Sequence, residues 1–238
     1  MKAISAISPG LQFYVDKIIA REPFSFVRYG DGEWAAAILQ NKAQNCDHTS
    51  LKLPGLVKDL RNSLMRPHLA DNYIMSLRPA SVTQKPEIGQ WLSQNSPGVK
   101  WHDCRVFVHA SIKGQLNPFI VALRNLNSLN MPLVFIGPRH IQYMRLIFPG
   151  AAHIIVGDTD CHNQKESILA QILNIKVPAF FSFSAGPATK GFIHQLYPSI
   201  GTYSFLIDLG SLWSVYCGTK IRTYHKTITS ETLQRNLR

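Results

Sequence analysis

At 238 residues, 45% of them hydrophobic, the chain is long enough to enclose a full core as one domain, and no stretch has the composition of an interdomain linker. It holds no uninterrupted apolar run of about 18 residues and no charged-then-apolar start, so the sequence predicts neither a membrane span nor secretion, and a cytoplasmic location. Lysine and arginine total 25 against 14 aspartate and glutamate, a net charge of +11 that points to an anionic partner.

In chain order, the pattern predicts a helix around residues 8–21 and a strand over 24–29, followed by a helix beginning at Trp34. Further strand-like runs fall at 72–77, 105–110, 132–136, 152–156, 178–183 and 203–207, with helical patterns between most of them. Strands such as Leu133-Val134-Phe135-Ile136 are apolar throughout rather than alternating, as expected where both faces of a sheet are covered. The expected fold is therefore α/β and Rossmann-like, a mostly parallel sheet with helices on both faces, as a single domain over 1–226 with a polar, basic tail over 227–238 that frays or forms a short helix. Cys46, Cys104, Cys161 and Cys217 form no CxxC pair and read as free thiols.

The most informative segment is Arg28-Tyr29-Gly30-Asp31-Gly32-Glu33-Trp34, where a strand passes into a helix. Taken as an extended loop, it points Asp31 and Glu33 to one side, where their oxygens suit a divalent cation, Mn or Mg rather than zinc. The plainer reading is an Asp-Gly turn with Glu33 solvated. Asp31, Glu33, Gly137, Gly186 and Asp208 all fall at carboxyl ends of predicted strands, where ligands of open α/β sheets bind.

The RYGDGE segment, residues 28–33, resembles the signature of the GT-D type of glycosyltransferase, a nucleotide-sugar-using family first catalogued as a domain of unknown function. The segments Leu133 to His140, with Gly137-Pro138, and Phe183 to Lys190, with Gly186-Pro187, are similar to that family's later landmarks, and Ser204 to Gly210 is similar to its closing Asp-x-Gly strand. The resemblance implies transfer of a sugar from a nucleotide-sugar donor, a UDP-sugar by preference, with the metal at Asp31 and Glu33 bridging the diphosphate. Glycine before proline at a helix start lets backbone N–H groups approach an anion, and Arg139, Thr189 and Lys190 can add charge or a hydroxyl; each turn is equally an ordinary helix start. Arg28 and Gly30 belong to the same donor site, although Arg28 can instead pair with the neighbouring carboxylates.

Asp208 is the first candidate for a catalytic base and His109, read as the end of a strand, the second, with a turn cap and a core histidine as their structural readings. Asp158 and Asp160 form a rival Asp-x-Asp metal motif that serves equally as a cap for a helix starting near Asn163; His162 reads as incidental. Basic residues concentrate at Lys52, Lys58, Arg61 and Arg66, and at Lys220, Arg222, Lys226, Arg235 and Arg238 with Trp213, Tyr216 and Tyr224 interleaved. Lys220, Arg222 and Lys226 are the candidate contacts to a polyanionic acceptor: a hydroxymethylated pyrimidine in phage-type DNA, or a cell-surface or lipid-linked glycan. Two other readings are an S-adenosylmethionine-dependent methyltransferase, through the glycine-rich loop, and a non-catalytic nucleic-acid-binding module.

Overall fold

The structure is a computed structural model that describes residues 4–39, 53–159 and 161–238. Cys46, Lys52 and Asp160 lie outside the described residues.

The chain opens with β1 (Ala6–Ile7) and α1 (Leu11–Ile19). β2 (Ser25–Tyr29) runs into a single helical turn, α2 (Asp31–Trp34), continued by a π-helical turn over Ala35–Leu39. Next come α3 (Pro54–Met65), β3 (Tyr73–Leu77), α4 (Pro79–Gln84), α5 (Pro86–Asn95) and β4 (Trp101–Asp103). They are followed by α6 (Val106–Ile112), α7 (Asn117–Ser128), β5 (Leu133–Gly137), a 3-10 helix over Arg139–Leu146 and β6 (Ala152–Ile155). The last third holds α8 (Lys165–Leu173), β7 (Phe180–Phe183), α9 (Ala188–Ile200) and β8 (Phe205–Asp208). Two 3-10 helices, Leu212–Cys217 and Thr223–Thr227, lead to α10 (Ser230–Leu237).

The strands make one eight-stranded sheet in the order β1-β4-β3-β2-β8-β7-β5-β6, with every pairing parallel. Its central strands are buried on both faces, which explains their unbroken apolar sequences. Val27, Met75, Ile136 and Phe181 face one core, shared with Leu60 of α3, Leu92 of α5, Ile168 of α8 and Phe192 of α9. The alternate residues Phe26, Ile74, Phe135 and Phe180 face the other, with Tyr14 of α1, Phe107 of α6 and Phe119 of α7. Each fully buried side chain of this size contributes roughly 1.5–3 kcal/mol, so the two cores together fix the register of the sheet. No described helix is long and apolar enough to cross a membrane.

One predicted strand is a helix. Residues 105–110 form most of α6, where Val106, Phe107, Val108 and Ala110 are all buried. A short run apolar on every side satisfies either period, and here packing among α1, α7 and α10 decides it. The strand of this region is β4, and Asp103 Oδ1 accepts a hydrogen bond from the Arg105 N–H (2.9 Å) where the chain turns into α6. The C-terminal residues form a docked helix, capped by Thr229 Oγ1 accepting from the Thr232 N–H (3.1 Å). Its Asn236 is fully buried, donating to the Ser111 carbonyl (2.8 Å) and Tyr216 hydroxyl (2.9 Å) and accepting from the Leu116 N–H (2.9 Å).

β2 and β8 lie side by side at the centre, and the chain leaves them toward opposite faces of the sheet, α2 and α3 packing in the core with Val27 and the 3-10 helix over Leu212–Cys217 in the other. Such a switch point opens a crevice at the carboxyl ends of its strands.

Candidate active site

A cavity of about 590 Å³ occupies that crevice. Its floor comes from the loops after β2 (Arg28, Gly30 to Glu33), β7 (Ser184 to Ala188, Lys190) and β8 (Asp208, Gly210, Ser211). Gly157, Asp158 and Thr159 after β6 form one wall, and residues 219–224 reach across with Thr219, Ile221, Arg222 and Tyr224.

The acidic pair does not face one point. The helix starts at Asp31 rather than Trp34, with Gly30 as its extended N-cap residue (φ −117°, ψ −167°). Residues two apart on a helix diverge by about 200°, so the extended-loop geometry expected for Asp31 and Glu33 is replaced by opposed directions. Asp31 turns to the mouth, half-exposed, with Oδ1 accepting from Ser81 Oγ (3.2 Å) and Oδ2 3.8 Å from Arg78 Nη1. Glu33 turns inward and is buried; its Oε2 accepts from the Gly30 N–H (2.9 Å), the carboxylate half of a capping box.

Glu33 Oε1 lies 2.5 Å from Lys190 Nζ, which is also 3.0 Å from Asp208 Oδ2 and donates to the Gly186 carbonyl (3.2 Å). The ammonium therefore donates to one carbonyl and is ion-paired with both carboxylates, although Asp208 Oδ2 makes no hydrogen bond among the described residues. Asp208 Oδ1 accepts from the Gly210 N–H (3.0 Å). Burial alone would raise the Glu33 carboxyl, but the charge and hydrogen bond of Lys190, with backbone N–H groups, hold it below the usual carboxylate range. Burial pulls the Lys190 ammonium down, and Asp208 and Glu33 together more than reverse this, so it stays charged. The three side chains thus tie the loops after β2, β7 and β8 together.

This donor set does not fit the Mn or Mg ion expected from the sequence. Both buried carboxylates already grip a protein cation, and Asp31, at the mouth of the cavity, is turned to Ser81 and Arg78. Among the described residues no group of three or more His, Cys, Asp or Glu side chains is arranged to hold a metal ion. Asp158, the described member of the rival motif, lines the cavity and is exposed.

Arg28 lines the floor beside Asp208; burial works against its charge, and Asp208 foremost among its neighbours restores it. Its Nε has no hydrogen-bond partner among the described residues. Gly210 has φ +54°, and a Cβ there would sit 2.7 Å from Arg28 Nη1, so glycine leaves the guanidinium its space. Gly186, also left-handed at φ +61°, makes the turn into α9, and Pro187 and Lys190 line the cavity with it. Thr189 is fully buried outside the lining, with no hydrogen-bond partner for Oγ1 among the described residues.

The other Gly-Pro turn behaves differently. Gly137 closes β5, where a Cβ would press on Ser184 Cβ at 3.0 Å and Ile141 Cγ1 at 3.1 Å, so its role is close packing. Pro138 touches the cavity but is extended (φ −64°, ψ 162°) ahead of a 3-10 helix, and Arg139 is exposed outside it. His140 lines the cavity in its place, with Nε2 2.9 Å from Ser214 Oγ, and burial pushes its pKa down.

Asp208 lines the cavity, but both of its oxygens are engaged, which makes it a brace rather than a free base. His109 sits within α6, not at a strand end, and does not line the cavity. Arg222 lies at the mouth, whereas Lys220 and Lys226 are exposed outside it.

Several residues at the cavity were not placed there from sequence. Tyr224 lines the mouth, its hydroxyl 3.0 Å from Ser211 Oγ. Beneath it the fully buried His225 accepts from the Ile221 and Arg222 N–H groups at Nδ1 (3.1 and 3.3 Å) and places Nε2 3.0 Å from the Ser211 carbonyl, an arrangement that fixes the neutral Nε2–H tautomer. His162 lines the cavity with Nε2 3.0 Å from Asp59 Oδ2, which also accepts from Lys165 Nζ (2.7 Å). Two cysteines also line the cavity: the Cys104 thiol is pushed up to about 11 by burial, and Cys161 Sγ donates to the Ala185 carbonyl.

An eight-stranded parallel sheet with its crevice at this switch defines a Rossmann-like α/β fold, and solved structures share it over most of the chain. One is described as a new glycosyltransferase (DUF1792) from Streptococcus sanguinis: 15% identity, 89% of this chain and 84% of that one covered, TM-score 0.59. A second is described with the statement that the domain of unknown function 1792 has a distinct glycosyltransferase fold, at 15% identity, 89% and 80% coverage and a TM-score of 0.56. The sequence matches no family model and no curated protein.

Proposed function

We propose that the protein is a glycosyltransferase that moves a sugar from a nucleoside diphosphate donor to a hydroxyl acceptor. The observation that carries this reading is the meeting of Arg28 with the start of the 13-residue α9 on the floor of the central crevice. A guanidinium and a helix N-terminus together form a seat for a diphosphate, and they stabilise the charge that develops on it as the sugar departs. Likeness to the DUF1792 structures, described as a glycosyltransferase fold, supports the same class.

The donor diphosphate rests on Arg28 and the Gly186-Pro187 turn, with the sugar toward the mouth. Among the lining carboxylates, Asp31 combines solvent access with an orientation set by Ser81, and it is the group to take the acceptor proton. The acceptor arrives past Arg222 and Tyr224, with Lys220 and Lys226 exposed nearby, which favours an anionic acceptor, DNA being the first to try.

The test is a panel of nucleotide sugars, UDP-sugars first, followed by release of the nucleoside diphosphate. Turnover with at least one donor is expected, falling by about 100-fold or more in Arg28→Ala. No turnover and no binding across the panel, or release indifferent to Arg28→Ala, would defeat the reading. For the acceptor, DNA affinity should fall steeply with added salt; absence of binding at low salt removes DNA.

A further inference from the structure

We infer that Lys190 stands in the place of a divalent cation, so that this site holds its nucleotide ligand without a metal. The inference rests on the donor reading above for its ligand, but its geometric basis is independent of that reading. Glu33 and Asp208 are the two buried carboxylates of the cavity, brought from opposite ends of the chain to the adjacent ends of β2 and β8. The point between them, where a shared divalent ion would sit, is held by Lys190 Nζ at 2.5 and 3.0 Å.

Three facts keep the ammonium there. Its side chain is 5% exposed, so it has no route to solvent without repacking. It also donates to the Gly186 carbonyl, in the turn that begins α9 four residues earlier. The remaining lone pairs face backbone donors, Gly30 N–H on Glu33 and Gly210 N–H on Asp208. An incoming cation would meet a positive charge at the position it needs and two carboxylates already ion-paired, and hard divalent ions shed water reluctantly.

The charge count agrees. At the bottom of the cavity Arg28 and Lys190 balance Glu33 and Asp208, while Asp31 at the mouth lies 3.8 Å from Arg78 Nη1. The ammonium neutralises the carboxylates that would otherwise repel a diphosphate, and Arg28 is left to contact it. Lys190 is thus a positioning residue: buried and ion-paired, it acts through the two carboxylates and through the turn that presents the α9 N-terminus.

The wild-type protein decides the matter through direct titration of Mn²⁺, free ion being followed by its electron paramagnetic resonance signal. Little or no binding is expected up to about 1 mM; binding in the tens of micromolar range that disappears in Glu33→Gln would overturn the inference. Calorimetry with UDP and a second nucleoside diphosphate, in EDTA and in excess Mn²⁺, should give affinities within about twofold, and a tenfold or greater preference for Mn²⁺ would overturn it. If neither nucleotide binds in either condition, the donor reading fails while the Mn²⁺ titration still tests the site. Lys190→Ala, if folded by circular dichroism, should gain at least about tenfold in Mn²⁺ affinity as the carboxylates are freed; a folded variant without that gain would also overturn the inference. If the variant does not fold, the two wild-type measurements stand alone.

Discussion

Replacing Lys190 by methionine keeps most of the side-chain volume and removes the charge, leaving the buried Glu33 and Asp208 without the cation that joins them. Breaking a buried pair from one side costs about 3–5 kcal/mol, and Arg28 beside Asp208 offsets only part of the loss, so roughly 3–4 kcal/mol is expected. For a chain of this length each kcal/mol shifts the melting temperature by about 2–4 °C, a fall of roughly 6–16 °C. The deficit should depend on pH. In the wild type, Glu33 is held below its unfolded range, so its contribution is present above that range and lost as pH falls through the lowered pKa. In the variant the buried Glu33 lacks the Lys190 charge that held its carboxyl down, and burial raises it above the unfolded range; the folded state then binds more protons and gains on acidification. Urea unfolding at about pH 7.5 and 5.5 should therefore show the gap narrowing, and Glu33→Gln in the Lys190→Met background should recover about 1–3 kcal/mol at the higher pH. A deficit below about 1 kcal/mol, or one that is the same at both pH values and unrelieved by the second substitution, would refute the buried-brace argument.

Gly210→Ala adds a methyl where φ is +54° and Arg28 Nη1 is 2.7 Å away; about 1–2 kcal/mol of stability and at least tenfold in nucleotide affinity should be lost, and calorimetry showing unchanged affinity would contradict the role given to Arg28. His225 is neutral in the fold, its pKa lowered by burial, so its contribution is present above the unfolded value of about 6.5 and lost as pH falls through the lowered one. Amide exchange of residues 219–224, corrected for its intrinsic pH dependence, should accelerate below about pH 6 ahead of the sheet strands; uniform protection across the chain would count against this. Asn236→Leu strips partners from the Leu116 N–H, the Ser111 carbonyl and the Tyr216 hydroxyl, and should cost about 2–4 kcal/mol by urea unfolding, where a loss under about 0.5 kcal/mol would show α10 to be an appendage.

The sheet was legible because its central strands are buried on both faces and so advertise themselves as unbroken apolar runs, from Phe26 and Val27 through Leu133 to Ile136 to Phe180 and Phe181. The same rule misled at Val106 to Val108, where a helix enclosed on all sides carries identical composition. The place of the site was legible too, since Asp31, Gly186 and Asp208 mark strand ends that meet at one crevice. What each residue does there was not. A helix beginning three residues early separates Asp31 from Glu33, and nothing near position 33 announces that a lysine 157 residues later will claim its carboxylate. Ser184 and Ala185, which follow β7 directly, were within reach of the strand-end rule. Tyr224, which the sequence groups only with the basic residues, and His225 were not, because this segment is placed by contacts to Ser211 and Ser214 that no local pattern marks.

Because the cavity floor is drawn from residues 28–33, 184–190 and 208–211, no segment shorter than 28–211 contains it, and the sheet that joins these strands must be in place for the site to form. Ligand occupancy and global folding are consequently linked: a nucleotide present at about 100 times its dissociation constant adds roughly 2.7 kcal/mol to the free energy of unfolding. Melting curves recorded against a library of nucleotides would therefore rank donors by the heat each one lets the protein withstand, before any acceptor is known.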